Sequence, residues 1–320
     1  MSAEFVIDRY GFRSAPQARP RRPSDIIREN ARMEKWQEML QRWDYNVLRR
    51  SEWVRRRIRK GIPDSFRGRV WAELANLKQL KEEHDAGYYR SLAETVIENK
   101  ATRDIQLDIN RTFPDNILFS NEGIGQQTLF RILKAYALHD PEIGYCQGMG
   151  FLTGLFLFYM PEEDAFWMLI AVMKKYEMRE FYMPGMPGVY KAFYKVNALI
   201  KQYLPALFRH FEEIGISPSM FVPSWIMTLY INYLPTEVAL RVLDVFFNEG
   251  PKILYRIYIL IFKEVKDELV ELAADKIFNR VKTIPDSFDP DETIKKVFKI
   301  SLGRARLIDI DKEYESSRGN

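Results

Sequence analysis

Two short segments of opposite chemistry are the best candidates for reactivity in this chain. The first, Ile105 to Arg111 (IQLDINR), presents a guanidinium just ahead of a Phe113-Pro114 stop. The second, Gly144 to Gly148 (GYCQG), sets the carboxamide of Gln147 in a glycine-flanked turn that opens a strongly apolar stretch. A fixed cation and a fixed carboxamide suit phosphoryl transfer to water: the cation neutralises charge on the transferring oxygens and the amide aims the attacking water. No phosphate-cradling glycine loop accompanies them in the sequence. The expectation is a protein that lends catalytic groups to a nucleotide held by another protein.

Local geometry sharpens both segments. Asp108 and Arg111 are three apart and share a face on a helix, so the carboxylate can pre-orient the guanidinium. Phe113 precedes a proline and is biased away from the right-handed helical region, which places Arg111 at or near a helix end. Gly144 and Gly148 permit an irregular backbone around Tyr145, Cys146 and Gln147. The apolar run from Met149 to Met160 can anchor that turn in a core. Cys146, with His139 nearby in sequence, lacks a third orienting group for nucleophilic catalysis. His84, His139 and His210 are scattered along the sequence and give no metal-ligand spacing.

The elements that must carry these residues read as helices. Trp36, Met39, Leu40 and Trp43 recur at helical spacing within a pattern running from Ser24 to Lys60. Gly61-Ile62-Pro63 stops it, and Asp64 or Ser65 can cap the helix that holds Arg67 and Trp71. Further helical faces run through Tyr88, Leu92 and Val96, and through Leu129, Phe130, Leu133 and Tyr136. Segments 165–172, 192–204, 224–233, 237–247 and 251–262 have helical length. Tyr255 to Phe262 is ambiguous, because its aromatic and β-branched residues also suit a strand. No Asn-Gly or Asp-Gly hairpin signal appears and period-two alternation is scarce. The expected class is all-α, without a sheet. The expected divisions are a Pro/Arg-rich, extended or disordered segment 1–30, a first lobe 31–187, a second lobe 188–310 and a polar tail 311–320, with the break at Met183 to Gly188.

Composition excludes several classes. In 320 residues, 47% hydrophobic and 14% aromatic content indicates a globular chain with ample core. The longest uncharged apolar stretch, Gly148 to Met160, is too short to span a bilayer. The first residues show no basic and then apolar secretory pattern, and a single cysteine leaves no intramolecular disulfide, so a cytoplasmic setting is expected. Residues 1–60 hold 16 Lys/Arg against 8 Asp/Glu, leaving 32 against 36 for the remainder, so the basic excess lies at the front. Arg19 to Arg22 and Arg55 to Lys60 could meet an anionic membrane surface or an acidic partner, or simply be solvated. Nucleic acid is not expected, since no aromatic-interleaved basic platform accompanies the charge.

Three signatures in order give the chain a family likeness. Arg67 to Trp71 matches Arg-x-x-x-Trp, Ile105 to Arg111 matches Ile-x-x-Asp-x-x-Arg, and Tyr145 to Gln147 matches Tyr-x-Gln. Gly61 to Pro63, Trp225, and Arg241 to Asp244 followed by Gly250 add to it, as does the short Asp8 to Phe12 (DRYGF). The chain resembles a TBC domain, the catalytic module of GTPase-activating proteins for Rab-family small GTPases, over roughly Trp36 to Lys299. The resemblance implies an all-α, V-shaped, two-lobed fold and a dual-finger mechanism serving vesicle trafficking. Arg111 would be the arginine finger and Gln147 would position the hydrolytic water. Asp108 would hold Arg111, Tyr145 would support the turn, and Arg67 and Trp71 would be structural. The partner would be a Rab in the GTP-bound state, carrying both GTP and Mg²⁺, so the chain needs no cofactor of its own. Peripheral contact with endomembranes through the basic front is a further expectation. The competing readings are a scaffold that binds Rab–GTP without stimulating hydrolysis, and a helical adaptor with no GTPase connection.

Overall fold

Gly61 and Pro63 divide helix from helix at the front of the molecule: one ends at Lys60, Gly61 turns the chain with φ +108°, and the next begins at Asp64. Neither Asp64 nor Ser65 caps that helix; Pro63 holds the N-cap position without a side-chain bond. The computed structural model describes residues 6–14, 23–120 and 124–318. Two compact units, Met1–Ala171 and Val172–Asn320, make up the chain.

The first unit contains α1 (Pro23–Gln41), α2 (Trp43–Arg49), α3 (Ser51–Lys60), α4 (Asp64–Ala75), α5 (Leu77–Glu82), α6 (Tyr88–Glu94), α7 (Lys100–Ile109), α8 (Gly125–His139) and α9 (Met149–Leu157). Helix α10 (Glu162–Lys174) runs across the division. Helix α8 is the hub of this unit and packs on α6, α7 and α9. Its Leu129, Ile132, Leu133 and Tyr136 are buried at spacings of three and four. Lys134, also buried, donates from Nζ to the carbonyls of Ala93 and Thr95 at 2.7 Å each, satisfying the end of α6. Burial and the neighbouring Arg131 push the Lys134 ammonium below its usual pKa.

The second unit contains α11 (Pro187–Tyr203), α12 (Pro205–Glu213), α13 (Val222–Trp225), α14 (Thr236–Glu249), α15 (Lys252–Leu269), α16 (Ala274–Thr283), α17 (Pro290–Phe298) and α18 (Arg304–Arg318). Tyr255 to Phe262, ambiguous in sequence, lies inside α15 and is buried apart from the half-buried Arg256; eighteen residues of helix settle the conformation that local propensity left open. The Tyr176 to Tyr182 and Trp225 to Tyr233 aromatic clusters are largely core, with Trp225 packed on Phe221, Tyr233 and Tyr258.

Three expectations need correction. Segment 1–30 is not uniformly extended or disordered. Residues Val6–Ile7 and Arg13–Ser14 form a two-rung antiparallel hairpin, and α1 begins at Pro23; residues 15–22, with the Arg19 to Arg22 cluster, lie outside the described residues. Residues 311–318, set apart as a polar tail, are the end of α18, which packs on α11: Leu307 and Ile310, just ahead of them, are buried, and Lys195 pairs with Asp311 at 2.8 Å. The division falls at Ala171/Val172 rather than at Met183 to Gly188. Gly188 lies against the Glu180–Phe181 backbone, where a Cβ would come within 2.8 Å, so that glycine serves close packing and not a hinge. The hairpin and an isolated antiparallel bridge from Phe12 to Asn116 are the β structure among the described residues, and the architecture is all-α. Among the described residues no helix is long and apolar enough to cross a membrane.

Candidate functional site

Helix α7 starts with a capping box, in which Asn99 accepts from the Thr102 N–H and Thr102 Oγ1 accepts from the Asn99 N–H, each at 2.9 Å. Its buried residues, Thr102, Ile105, Asp108 and Ile109, fix the rotation of the helix, and the chain leaves it at Asn110. Arg111 therefore stands just past the helix end, with its side chain 61% exposed. The Asp108 side chain beneath it is only 4% exposed, and Arg111 Nη2 donates to Asp108 Oδ1 at 2.6 Å. Phe113 avoids the right-handed region by adopting φ +49°, a left-handed conformation that is uncommon for a bulky residue. Thr112 Oγ1 donates to the Asp108 carbonyl at 3.1 Å and closes the turn.

The second segment approaches the same carboxylate. Gly144 and Gly148 have φ +59° and +104°, so both take the conformations that their residue type allows. Between them Tyr145 Oη donates to Asp108 Oδ2. Asp108 thus binds Arg111 through one oxygen and Tyr145 through the other, and the two motifs meet at a single buried carboxylate. Burial and then Asp108 push the Tyr145 phenol far above its usual range, so it remains a donor. The same two causes raise the Cys146 thiol, the opposite of what an attacking thiolate requires. Gln147 is exposed at the tip of the turn, and its carboxamide has no hydrogen-bond partner among the described residues.

Gly150 completes the arrangement and had no signal of its own in the sequence. A Cβ at this position, in the first turn of α9, would lie 2.8 Å from Thr112 Oγ1 and 3.7 Å from both Asp108 Oδ2 and Tyr145 Oη. Only a glycine lets α9 pack directly against the Asp108 cluster.

Arg67 and Trp71 lie in the core of the first unit and not with Arg111. Arg67 donates to the Ile62 carbonyl at 2.9 Å, pairs with Asp64 and faces the Tyr159 ring. Trp71 is fully buried against Phe156 and Tyr159. Of the basic run on α3, Arg55 pairs with Glu52 at 2.5 Å and Arg57 lies over the Trp53 ring at 5.4 Å. Two of the scattered histidines do converge: the His84 and His139 rings are 5.9 Å apart in a cluster of tilted and edge-on contacts with Tyr88 and Trp167. Among the described residues no three His, Cys, Asp or Glu side chains group as metal ligands.

Comparison with solved structures gives the class. The fold is similar to the Chlamydomonas flagellar RabGAP TBC domain, with a TM-score of 0.74 and 28% identity over 92% of this chain and 99% of that one. It is also similar to the Ypt/Rab-GAP domain of Gyp1p, with a TM-score of 0.70 over 84% of this chain and 97% of that one, where 21% identity speaks for the fold alone. The chain belongs to the Rab-GTPase-TBC domain family, whose model matches residues 64–270. The Rab GTPase-activating protein eat-17 of Caenorhabditis elegans is 33% identical over 286 residues, 88% of this chain and 32% of its own length. The human ecotropic viral integration site 5 protein homolog is 31% identical over 283 residues, 87% of this chain and 34% of its own. The chain spans about a third of the length of these curated relatives.

Proposed function

We propose that this chain accelerates GTP hydrolysis by a Rab-family small GTPase, inserting Arg111 and Gln147 in trans beside the partner's nucleotide. The observation that carries this reading is the buried Asp108 carboxylate, which holds Arg111 on one oxygen and the turn bearing Gln147, through Tyr145, on the other. Arg111 keeps most of its side chain in solvent while one guanidinium nitrogen is anchored, as a group awaiting a phosphoryl oxygen requires. Gln147, exposed and without a carboxamide partner among the described residues, can hydrogen-bond a water and orient it. In this reading GTP and Mg²⁺ belong to the partner. The reaction takes place on the cytoplasmic side of endomembranes, where the basic residues of the front end contact the anionic surface.

The experiment is single-turnover hydrolysis by a panel of GTP-loaded Rabs, with and without the purified chain. Wild type should accelerate at least one of them. Arg111→Ala should lose about 10³–10⁵ in rate, the worth of an arginine finger supplied in trans, and Gln147→Ala should be severely impaired. Equal stimulation by Arg111→Ala and wild type would sink the assignment. Binding of Rab–GTP without any acceleration would leave the scaffold reading in its place.

A further inference from the structure

The front hairpin lies against the strand of chain that leaves Arg111. We infer, building on the function proposed above, that residues Val6–Ser14 position Arg111 by clamping the loop that follows it.

The hairpin is stiff in itself. Asp8 Oδ1 accepts the N–H groups of Tyr10 and Phe12 at 2.9 Å each, and Gly11 turns the chain with φ +86°. Its exposed flank then bonds to the loop at three points. The Ile117 N–H donates to the Gly11 carbonyl at 2.9 Å, Asn116 Nδ2 donates to the Tyr10 carbonyl at 2.8 Å, and the Arg13 N–H donates to the Asp115 carbonyl at 2.8 Å. Asn116 is buried, and its Oδ1 accepts the Leu118 N–H at 3.0 Å, so one carboxamide joins hairpin to loop. Gly11 is required for space as well as for φ: a Cβ there would lie 3.1 Å from Ile117 Cγ1 and 3.3 Å from the Asn116 amide.

The loop needs the clamp because of Phe113, two residues beyond Arg111. A non-glycine residue at φ +49° persists only where its surroundings over-determine it. The Phe113 ring sits among Phe119, Phe151 and Phe158, and Phe12 from the hairpin closes the cluster, with centroids 5.7 Å from Phe113 and 5.8 Å from Phe158. A salt bridge from Arg9 to Asp64 at 3.4 Å links the hairpin to the Arg67 motif as well. The hairpin touches neither Asp108 nor Arg111 in these contacts. Its effect reaches Arg111 through the backbone of residues 112–116, which makes it a positioning element and not part of the reacting group.

The test uses the full chain with Phe12→Ala, the conservative Phe12→Leu, and Gly11→Ala, which leaves every ring in place. Measured against a responsive GTP-loaded Rab, Phe12→Ala and Gly11→Ala should lower kcat by about 10- to 100-fold, the size of effect that a displacement of about 1 Å produces. KM should stay within about twofold, because the partner-facing surface is intact, and Phe12→Leu should recover most of the rate. In the free protein, amide exchange of residues 111–118 should quicken in both damaging variants while that of α8 and α9 is unchanged. Three results overturn the proposal: unchanged kcat despite faster exchange, a rise in KM at constant kcat (a hairpin that contacts the GTPase directly), or faster exchange throughout the unit in both variants. The exchange measurement needs no GTPase, so it separates failure of the clamp from failure of the proposed function, which Arg111→Ala tests in the same assay.

Discussion

The first unit uses one pair of residues, an aspartate three positions before an arginine, in two opposite ways. In Asp64–Arg67 the arginine side chain is 5% exposed and the aspartate 35%. In Asp108–Arg111 the aspartate is 4% exposed and the arginine 61%. Spacing and chemistry are the same; the buried partner differs. A buried guanidinium must find acceptors for its many donors, and Arg67 finds Asp64, the Ile62 carbonyl and the Tyr159 ring, so it is consumed in holding α4. A buried carboxylate needs only a few donors, and Asp108 takes two, one of which is an arginine that stays in solvent. Which partner is buried decides whether the pair holds the fold together or displays a cation.

The largest test of this contrast is Arg111. Arg111→Ala should remove about 4–7 kcal/mol of transition-state stabilisation, read as GTP hydrolysis rate, with a smaller loss of stability, because Tyr145 still donates to the Asp108 carboxylate left behind. Arg111→Lys should recover little, because an ammonium cannot reproduce the planar fork. Arg67→Ala should do the reverse: a loss of about 3 kcal/mol in urea unfolding, with the rate per folded molecule retained. Should the Arg67 variant fold normally and lose activity, the contrast drawn here fails. Asp108→Asn keeps the volume but weakens the bond to Arg111, and should lower kcat by about 10- to 100-fold with little change in KM. Gly150→Ala, which pushes a methyl group toward Thr112, should cost about 1–3 kcal/mol in denaturant unfolding, the range seen for overpacking.

Much of this site was legible beforehand, and the reasons are local. The Asp108–Arg111 pairing follows from three-residue spacing at a helix end, and the glycines at 144 and 148 both took positive φ as their type permits. Helical periodicity placed α8, which buries Leu129, Ile132, Leu133 and Tyr136 on one face, whereas α4 was read from the Gly61 to Pro63 stop and α14, buried on all sides from Val238 to Phe247, from its length. The hairpin was not legible: its turn lacks an Asn-Gly or Asp-Gly pair, and its partners, Asp115 to Ile117, lie over a hundred residues downstream. Gly150 was missed for a related reason. A glycine inside a helix declares nothing until the atoms opposite it, here Thr112, Asp108 and Tyr145, are known. Residues 311–318 are polar in sequence and largely exposed in the structure, and their continuity with α18 was not legible because the buried residues of that helix, Leu307 and Ile310, lie ahead of them.

One consequence of the site concerns entropy. Arg111 is tethered in the free protein, so part of its rotamer freedom has already been lost on folding, whereas the Gln147 carboxamide has no partner among the described residues. A long polar side chain gives up as much as about 2 kcal/mol of rotamer freedom on immobilisation. In the proposed reaction that loss falls on the glutamine only when the complex forms. The two fingers should therefore respond differently to temperature: the contribution of Gln147 carries the larger unfavourable activation entropy, and that of Arg111 the smaller.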